Sequence, residues 1–165
     1  EYNLTNIAVA ITIANYFKVD DNSIKEAIET YIPSNNRSQV IQTAAHKIIM
    51  DAYNANPTSM WAALLNFEKL NDKIKVAILG DMFELGREAE KEHQNIVDLA
   101  STMLLDKIIL IGKNFYNTKI VSPKVQVFES FDDFKNNFNH SQIEFATILI
   151  KGSRGMALER VLELL

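Results

Sequence analysis

Apolar residues recur three and four apart at the front of the chain. Leu4, Ile7, Ala8, Ile11 and Ala14 share one face, which predicts a helix over residues 3–17. Ser23-Ile-Lys-Glu26 has the form of a capping box, and Ile24, Ala27, Ile28 and Tyr31 supply the apolar face of a second helix. Pro33-Ser-Asn-Asn36 then breaks the pattern. Beyond it, Ser38–Thr43 and Lys47–Tyr53 read as two strands joined tightly at Ala44-Ala45-His46, a hairpin. A domain boundary is therefore expected at about 33–36.

From there strand and helix alternate. The apolar run Lys47-Ile-Ile-Met50 leads through Asp51-Ala-Tyr-Asn-Ala-Asn-Pro57 into Trp61-Ala-Ala-Leu-Leu-Asn-Phe67, which has helical spacing. Asn56 is a good N-cap, and Pro57 suits the first helical turn, where its missing N–H costs nothing. Lys75–Leu79 is a strand followed by Gly80-Asp-Met-Phe-Glu-Leu-Gly86. A helix is expected over about 88–104, with Ala89, His93, Ile96, Val97, Ala100 and Met103 on one face. Lys107–Ile111 is the next strand, ending at Gly112-Lys113. Val125–Phe128 is another, leading through Ser130 as N-cap into a helix with Phe131, Phe134 and Phe138. Thr147–Ile150 gives way to Lys151-Gly-Ser-Arg-Gly155 and a closing helix with Leu158, Val161, Leu162 and Leu165. Continuous apolar strands between amphipathic helices predict an α/β fold: a mostly parallel sheet with helices on both faces, preceded by a short helical segment.

Composition narrows the function. The net charge of −4 argues against a nucleic-acid surface, which needs a basic face. No apolar run approaches the roughly 20 residues that span a bilayer, and the start has no signal-peptide pattern. Zero cysteines exclude disulfides and thiolate metal sites and fit a cytoplasmic setting. His46, His93 and His140 are isolated, without metal-ligand spacing, and read as ordinary residues. The first residue is Glu, not Met, so a piece of a longer chain is expected.

In a parallel sheet, right-handed crossovers bring every strand end to the same edge, where ligands bind. Asp51 with Asn54, Asp81 with Glu84, Lys113, and Lys151 with Ser153 and Arg154 all follow strand ends, so they are expected on one rim. Two glycine-containing turns there would let backbone approach a ligand. The same polar residues also suit capping and turn-making. There is no G-x-G-x-x-G, no G-x-x-x-x-G-K-[ST] and no Ser–His–Asp arrangement. Chemistry alone stops at an anion- or nucleotide-binding rim.

Five segments in register go further: Tyr2-Asn-Leu-Thr-Asn6, Asn36-Arg-Ser38, Asp51-Ala-Tyr-Asn-Ala-Asn-Pro57, Leu79-Gly-Asp-Met-Phe-Glu-Leu-Gly86 and Lys151-Gly-Ser-Arg154. Together they resemble the Mur ligase family, in essentially the whole chain. Within it they look like the members that join D-alanyl-D-alanine to UDP-N-acetylmuramoyl-tripeptide in cytoplasmic peptidoglycan synthesis. The resemblance implies that residues 1–33 are the C-terminal helices of a central ATPase domain. It makes residues 36–165 a Rossmann-like Mur ligase C-terminal domain. The chain's own N-terminal and central domains would be its partners, in a monomer, and the P-loop and magnesium ligands would lie outside this sequence. The reaction that the resemblance implies runs through an acyl phosphate: ATP would phosphorylate the tripeptide carboxylate and the dipeptide amine would attack it, giving an amide, ADP and phosphate.

Carried over by position, Asn3 and Asn6 match an asparagine pair at the adenine edge, and Arg37 matches an arginine reaching the nucleotide. Asp51 matches the carboxylate that takes the ribose hydroxyls. Asn54 stands beside the nucleotide where relatives often carry histidine. Lys151, Ser153 and Arg154 match the segment near the acceptor, where a basic pair could hold the D-alanyl-D-alanine carboxylate. Tyr53, Asn56, Asp81 and Glu84 are expected to shape the site, Tyr53 either stacking on the base or packing as core. No catalytic or metal-binding residue is assigned to this chain; ATP is the cosubstrate and Mg2+ would be held mainly by the central domain.

Two rivals stay open. Folylpolyglutamate synthase has the same kind of C-terminal domain but typically shows His in place of Asn54 and lacks the Gly-Asp-Met-x-Glu-Leu-Gly form. A non-enzymatic receiver domain would use Asp51, Asp81 and Lys151 as its pocket, yet it needs adjacent acids where Asp51 is flanked by Met50 and Ala52.

Overall fold

The helical period at the front of the chain becomes α1, Leu4–Tyr16, none of whose residues is buried. A second helix, α2, covers Asp21–Glu29. Its cap differs from expectation. Asp20, not Ser23, is the N-cap: its carboxylate accepts the Ser23 amide at 3.0 Å and the Ser23 hydroxyl at 2.6 Å. A carboxylate one turn earlier takes the role because Ser23, at the third helical position, can donate to it twice. The Ser23 hydroxyl and then its amide hold the Asp20 carboxyl below the ordinary carboxylate range.

The computed structural model describes residues 4–165, the His140 side chain apart, so Asn3 lies outside the described residues. The chain divides into two units, one ending at Pro33 and the other running from Ser34 to Leu165. The second unit is built on one six-stranded sheet. β1 (Gln39–Gln42) and β2 (Lys47–Asp51) form the antiparallel hairpin, closed by the Thr43 amide on the His46 carbonyl at 2.8 Å. The others are β3 (Lys75–Gly80), β4 (Lys107–Ile111), β5 (Val125–Phe128) and β6 (Thr147–Lys151), in the order β1-β2-β6-β3-β4-β5. Every pairing from β2 onward is parallel.

Strand alternation sorts the core into two layers. Ala77, Leu79, Ile108, Leu110 and Leu149 pack with Met60, Leu64 and Phe67 of α3 (Pro57–Glu68) and Ile96, Val97 and Ala100 of α4 (Ala89–Thr102). Val76, Ile78, Ile109, Ile111, Ile148 and Ile150 face the other way, onto Phe134 and Phe138 at α6 (Phe131–Asn137) and onto Leu158 and Val161. Between them in sequence, α5 is a four-residue helix, Lys113–Tyr116, which the hydrophobic pattern does not reveal.

The expected closing helix is present, but it is not of the α type. Leu158–Leu164 winds as a 3-10 helix, entered through a left-handed Ala157 at φ 47°. Three residues per turn put Leu158, Val161 and Leu164 in one row, and Leu158 and Val161 are fully buried. No helix among the described residues is long and apolar enough to cross a membrane.

Candidate functional site

β2 and β6 run parallel in a register that sets Asp51 opposite Lys151. Their side chains meet at the strand ends. Lys151 Nζ donates to Asp51 Oδ2 at 2.6 Å and to the Asn54 carbonyl at 3.2 Å, and its side chain is only 2% exposed. An ammonium so buried must be paired, because unshielded charge is expelled from apolar surroundings. The other carboxylate oxygen, Oδ1, accepts the Ser38 amide at 3.1 Å and its hydroxyl at 3.4 Å. Asp51 therefore ties three segments together while keeping part of its surface open to solvent.

The segment before β1 is tightly shaped. Asn35, Asn36 and Ser38 have φ of 64°, 57° and 51°, the left-handed region that asparagine tolerates and serine resists. Arg37, exposed within it, lays its guanidinium over the Tyr53 ring, 3.7 Å from the centroid. Stacking uses the face of the guanidinium and leaves its in-plane N–H donors free to point elsewhere. Tyr53 is half exposed, so of its two expected roles, core packing is not the one it plays. Its amide also bonds the Asn36 carbonyl at 3.1 Å.

Asp81 follows β3 but is buried, and its carboxylate accepts the amides of Asn114 and Phe115 at 2.9 and 3.0 Å, capping α5. His93 supports the same turn. Its Nε2 accepts the Met82 amide at 3.0 Å and its Nδ1 meets the Ala89 carbonyl at 2.6 Å. An amide can only donate and a carbonyl only accept, so the ring carries its proton on Nδ1. The 3.6 Å approach of Asp81 to Nε2 is thus a contact rather than an ion pair. Phe115 packs edge-on against the ring. His93 escapes notice in the sequence because it stands at an apolar position of α4; a lone histidine on a core face is the signal it leaves.

Ser153 is equally committed. Its hydroxyl accepts the Phe83 amide at 2.8 Å and reaches the Ala55 carbonyl at 3.4 Å, and its own amide bonds the Asp81 carbonyl. The expected basic pair consequently divides: Lys151 is turned inward to Asp51, while Arg154 is exposed and joined to Glu159 at 3.1 Å. Asn54 folds its side-chain oxygen onto the Ala55 amide, and Asn56 caps α3 through Ser59 in a reciprocal capping box. Glu84 is exposed in a left-handed turn, at φ 65°. Asn6 is exposed on α1 in the other unit. Two of the rim glycines serve packing. A Cβ on Gly80 or on Gly152 would come within 2.8 Å of the Leu158 side chain, so these positions must be small to seat Leu158.

Among the described residues, no three His, Asp or Glu side chains gather as a metal donor set. The rim therefore offers a partly open carboxylate, a stacked guanidinium and an exposed arginine, all on a rigid backing. Residues 36–154 match the family model described as Mur ligase, glutamate ligase domain.

The chain belongs to the Mur ligase family.

Its relatives are informative in kind. It is 31% identical over 168 residues to the UDP-N-acetylmuramoyl-tripeptide–D-alanyl-D-alanine ligase of Borreliella burgdorferi, covering 99% of this chain and 36% of that protein. The Escherichia coli ligase of the same name is 29% identical, over 99% of this chain and 37% of that one. A crystal structure of MurF from Acinetobacter baumannii superposes with a TM-score of 0.84 at 29% identity, covering 99% of this chain and 37% of that one. This Mur ligase chain thus spans little more than a third of the length of the relatives it matches.

Proposed function

We propose that this chain is the C-terminal portion of an ATP-dependent ligase that joins D-alanyl-D-alanine to UDP-N-acetylmuramoyl-tripeptide. The names of its relatives support the substrates. The observation that carries the reading is Asp51: a carboxylate at the end of a parallel strand, fixed on two sides and open on a third. The acceptor position that these bonds leave open fits a ribose hydroxyl, the group that acidic side chains at strand ends take in other nucleotide sites.

Arg37 supplies charge for the nucleotide phosphates, and its stacking on Tyr53 limits the freedom it loses on binding. Arg154, exposed after β6, takes the carboxylate of the incoming dipeptide through charge-assisted hydrogen bonds. Asn54, Asn56, Asp81 and Ser153 hold the backbone of the rim in place, and Glu84 lies at its edge. The chemistry is a phosphoryl transfer to the tripeptide carboxylate followed by attack of the dipeptide amine, giving an amide, ADP and phosphate. Positioning and charge neutralisation account for most of the rate of such a transfer. Magnesium would act there on the phosphates, with its ligands supplied mainly by the central domain of the ligase.

The test is phosphate release by the full ligase with ATP, magnesium and UDP-N-acetylmuramoyl-tripeptide, offering D-alanyl-D-alanine or glutamate as acceptor. Release that depends on the D-alanyl dipeptide is expected. Release that depends on glutamate instead would overturn the reading in favour of a glutamate-adding ligase.

A further inference from the structure

We propose that Lys151 is a positioning residue for the nucleotide side of the rim and not a ligand of the dipeptide carboxylate. It acts through Asp51 on the loop that presents Arg37. The inference rests on the function proposed above and assigns the buried ammonium a part in it.

Three observations carry it. First, Lys151 has little to offer a mobile ligand, because its ammonium is enclosed and two of its three protons go to Asp51 and Asn54. An incoming carboxylate would have to displace Asp51 from its counter-ion. Second, Asp51 holds Ser38 by both amide and hydroxyl, and Ser38 sits at φ 51°, a conformation that serine does not keep unaided. Third, Arg37 directly precedes Ser38, and it is anchored on Tyr53, two residues beyond Asp51.

The line of contacts runs from Lys151 to Asp51, to Ser38, to Arg37. Removing the ammonium leaves Asp51 free to turn toward water, which loosens its hold on Ser38 and with it the placement of Arg37. The effect then falls on the nucleotide, although Lys151 belongs to the segment that carries Arg154.

Lys151→Met keeps the length of the side chain and removes its charge. In the full ligase, this variant is expected to raise the KM for ATP at least tenfold and leave that for D-alanyl-D-alanine within twofold. Asp51→Asn should do the same, and the double variant should be no worse than either single one. A tenfold rise in the dipeptide KM with an unchanged KM for ATP would place Lys151 on the acceptor and overturn the inference. So would additive effects in the double variant. Should Lys151→Met not fold, hydrogen exchange on the 165-residue chain decides the matter. Asp51→Asn should speed exchange of the Ser38 amide at least tenfold, and an unchanged rate would refute the relay. A wild-type ligase with no D-alanyl-D-alanine-dependent turnover would overturn the proposed function alone, since the exchange experiment needs no substrate.

Discussion

Gly112 lies so close to the Asp81 carboxylate that a Cβ on Gly112 would stand 2.3 Å from the Asp81 carboxyl carbon. The same glycine has φ 133°, outside the range open to L side chains. Both facts come from one arrangement, in which the chain leaves β4 and enters α5 with its first amides aimed at Asp81. Gly112→Ala is therefore expected to lower stability by at least about 2 kcal/mol, or roughly 4–8 °C in unfolding temperature. Thermal unfolding followed by circular dichroism checks it. A shift below 1 °C would mean that the turn relaxes freely.

Asp51 is expected to matter for the fold as well as for ATP. Asp51→Ala leaves the buried Lys151 ammonium without its counter-ion, a change that costs roughly 3–5 kcal/mol when nothing compensates. Replacing both residues, as Asp51→Ala with Lys151→Met, should recover at least half of that loss. Urea unfolding of the four proteins measures the coupling, and simple additivity would count against a shared network.

In the full ligase, the part of the Asp51→Ala effect that concerns ATP should appear in KM. Loss of charge-assisted bonds to a ribose is worth roughly 1–3 kcal/mol, and kcat should change far less than kcat/KM. Steady-state rates at varied ATP provide the check. Wild-type ATP kinetics in the variant would leave Asp51 as a purely architectural residue.

The two units should differ in local stability. β3 is buried at every position, whereas α1 buries none of its residues in the chain as described. Amide exchange is expected to be slowest in β3 and β6 and fast along α1. Equal protection of Leu4–Tyr16 and Lys75–Gly80 would contradict this.

Acid should loosen α2 through Asp20. Its hydrogen bonds to Ser23 depress its carboxyl pKa in the folded state, so their contribution is present above the unfolded carboxylate pKa. It is lost as pH falls through the lower, folded value. Chemical shifts of Ser23 should track that titration, and Asp20→Asn should abolish it while keeping the cap.

The 165-residue chain by itself is expected to be catalytically silent and to hold ATP no better than about millimolar, near −4 kcal/mol. An open rim cannot surround a nucleotide, and no phosphate-cradling G-x-x-x-x-G-K-[ST] segment is present in this sequence. Calorimetry at millimolar ATP, with a phosphate-release assay alongside, is the measurement. Micromolar binding would mean that the rim is a complete site.

Much of this molecule was legible in its sequence, for reasons that can be named. Parallel strands buried on both faces leave unbroken apolar runs, so Lys75–Leu79 and Thr147–Ile150 stand out, and Asn56-Pro57 marks the start of α3 by its capping chemistry. Strand ends converge by topology, which brought Asp51 and Lys151 to one edge. What pattern could not supply was direction. Whether Lys151 points to solvent or into the core depends on the register of β2 against β6, which no local signal carries. The 3-10 character of the closing helix was hidden because Leu158, Val161, Leu162 and Leu165 recur at α-helical spacing, whereas the row that is buried is Leu158 and Val161. His93 looked ordinary because it is surrounded by core positions.

The strand order has a consequence for the chain while it is being made. β6 is the last strand in sequence, yet it belongs between β2 and β3. Until Thr147–Lys151 leaves the ribosome, the hairpin and the β3-β4-β5 ladder are two separate sheets, each with a raw apolar edge facing a gap. Asp51 meanwhile waits for a counter-ion encoded one hundred residues downstream. Exposed edges of this kind invite pairing with other chains. A nascent or clipped chain lacking that strand would be sticky and would leave Asp51 unpaired, so the rim cannot appear on a molecule whose sheet is unfinished.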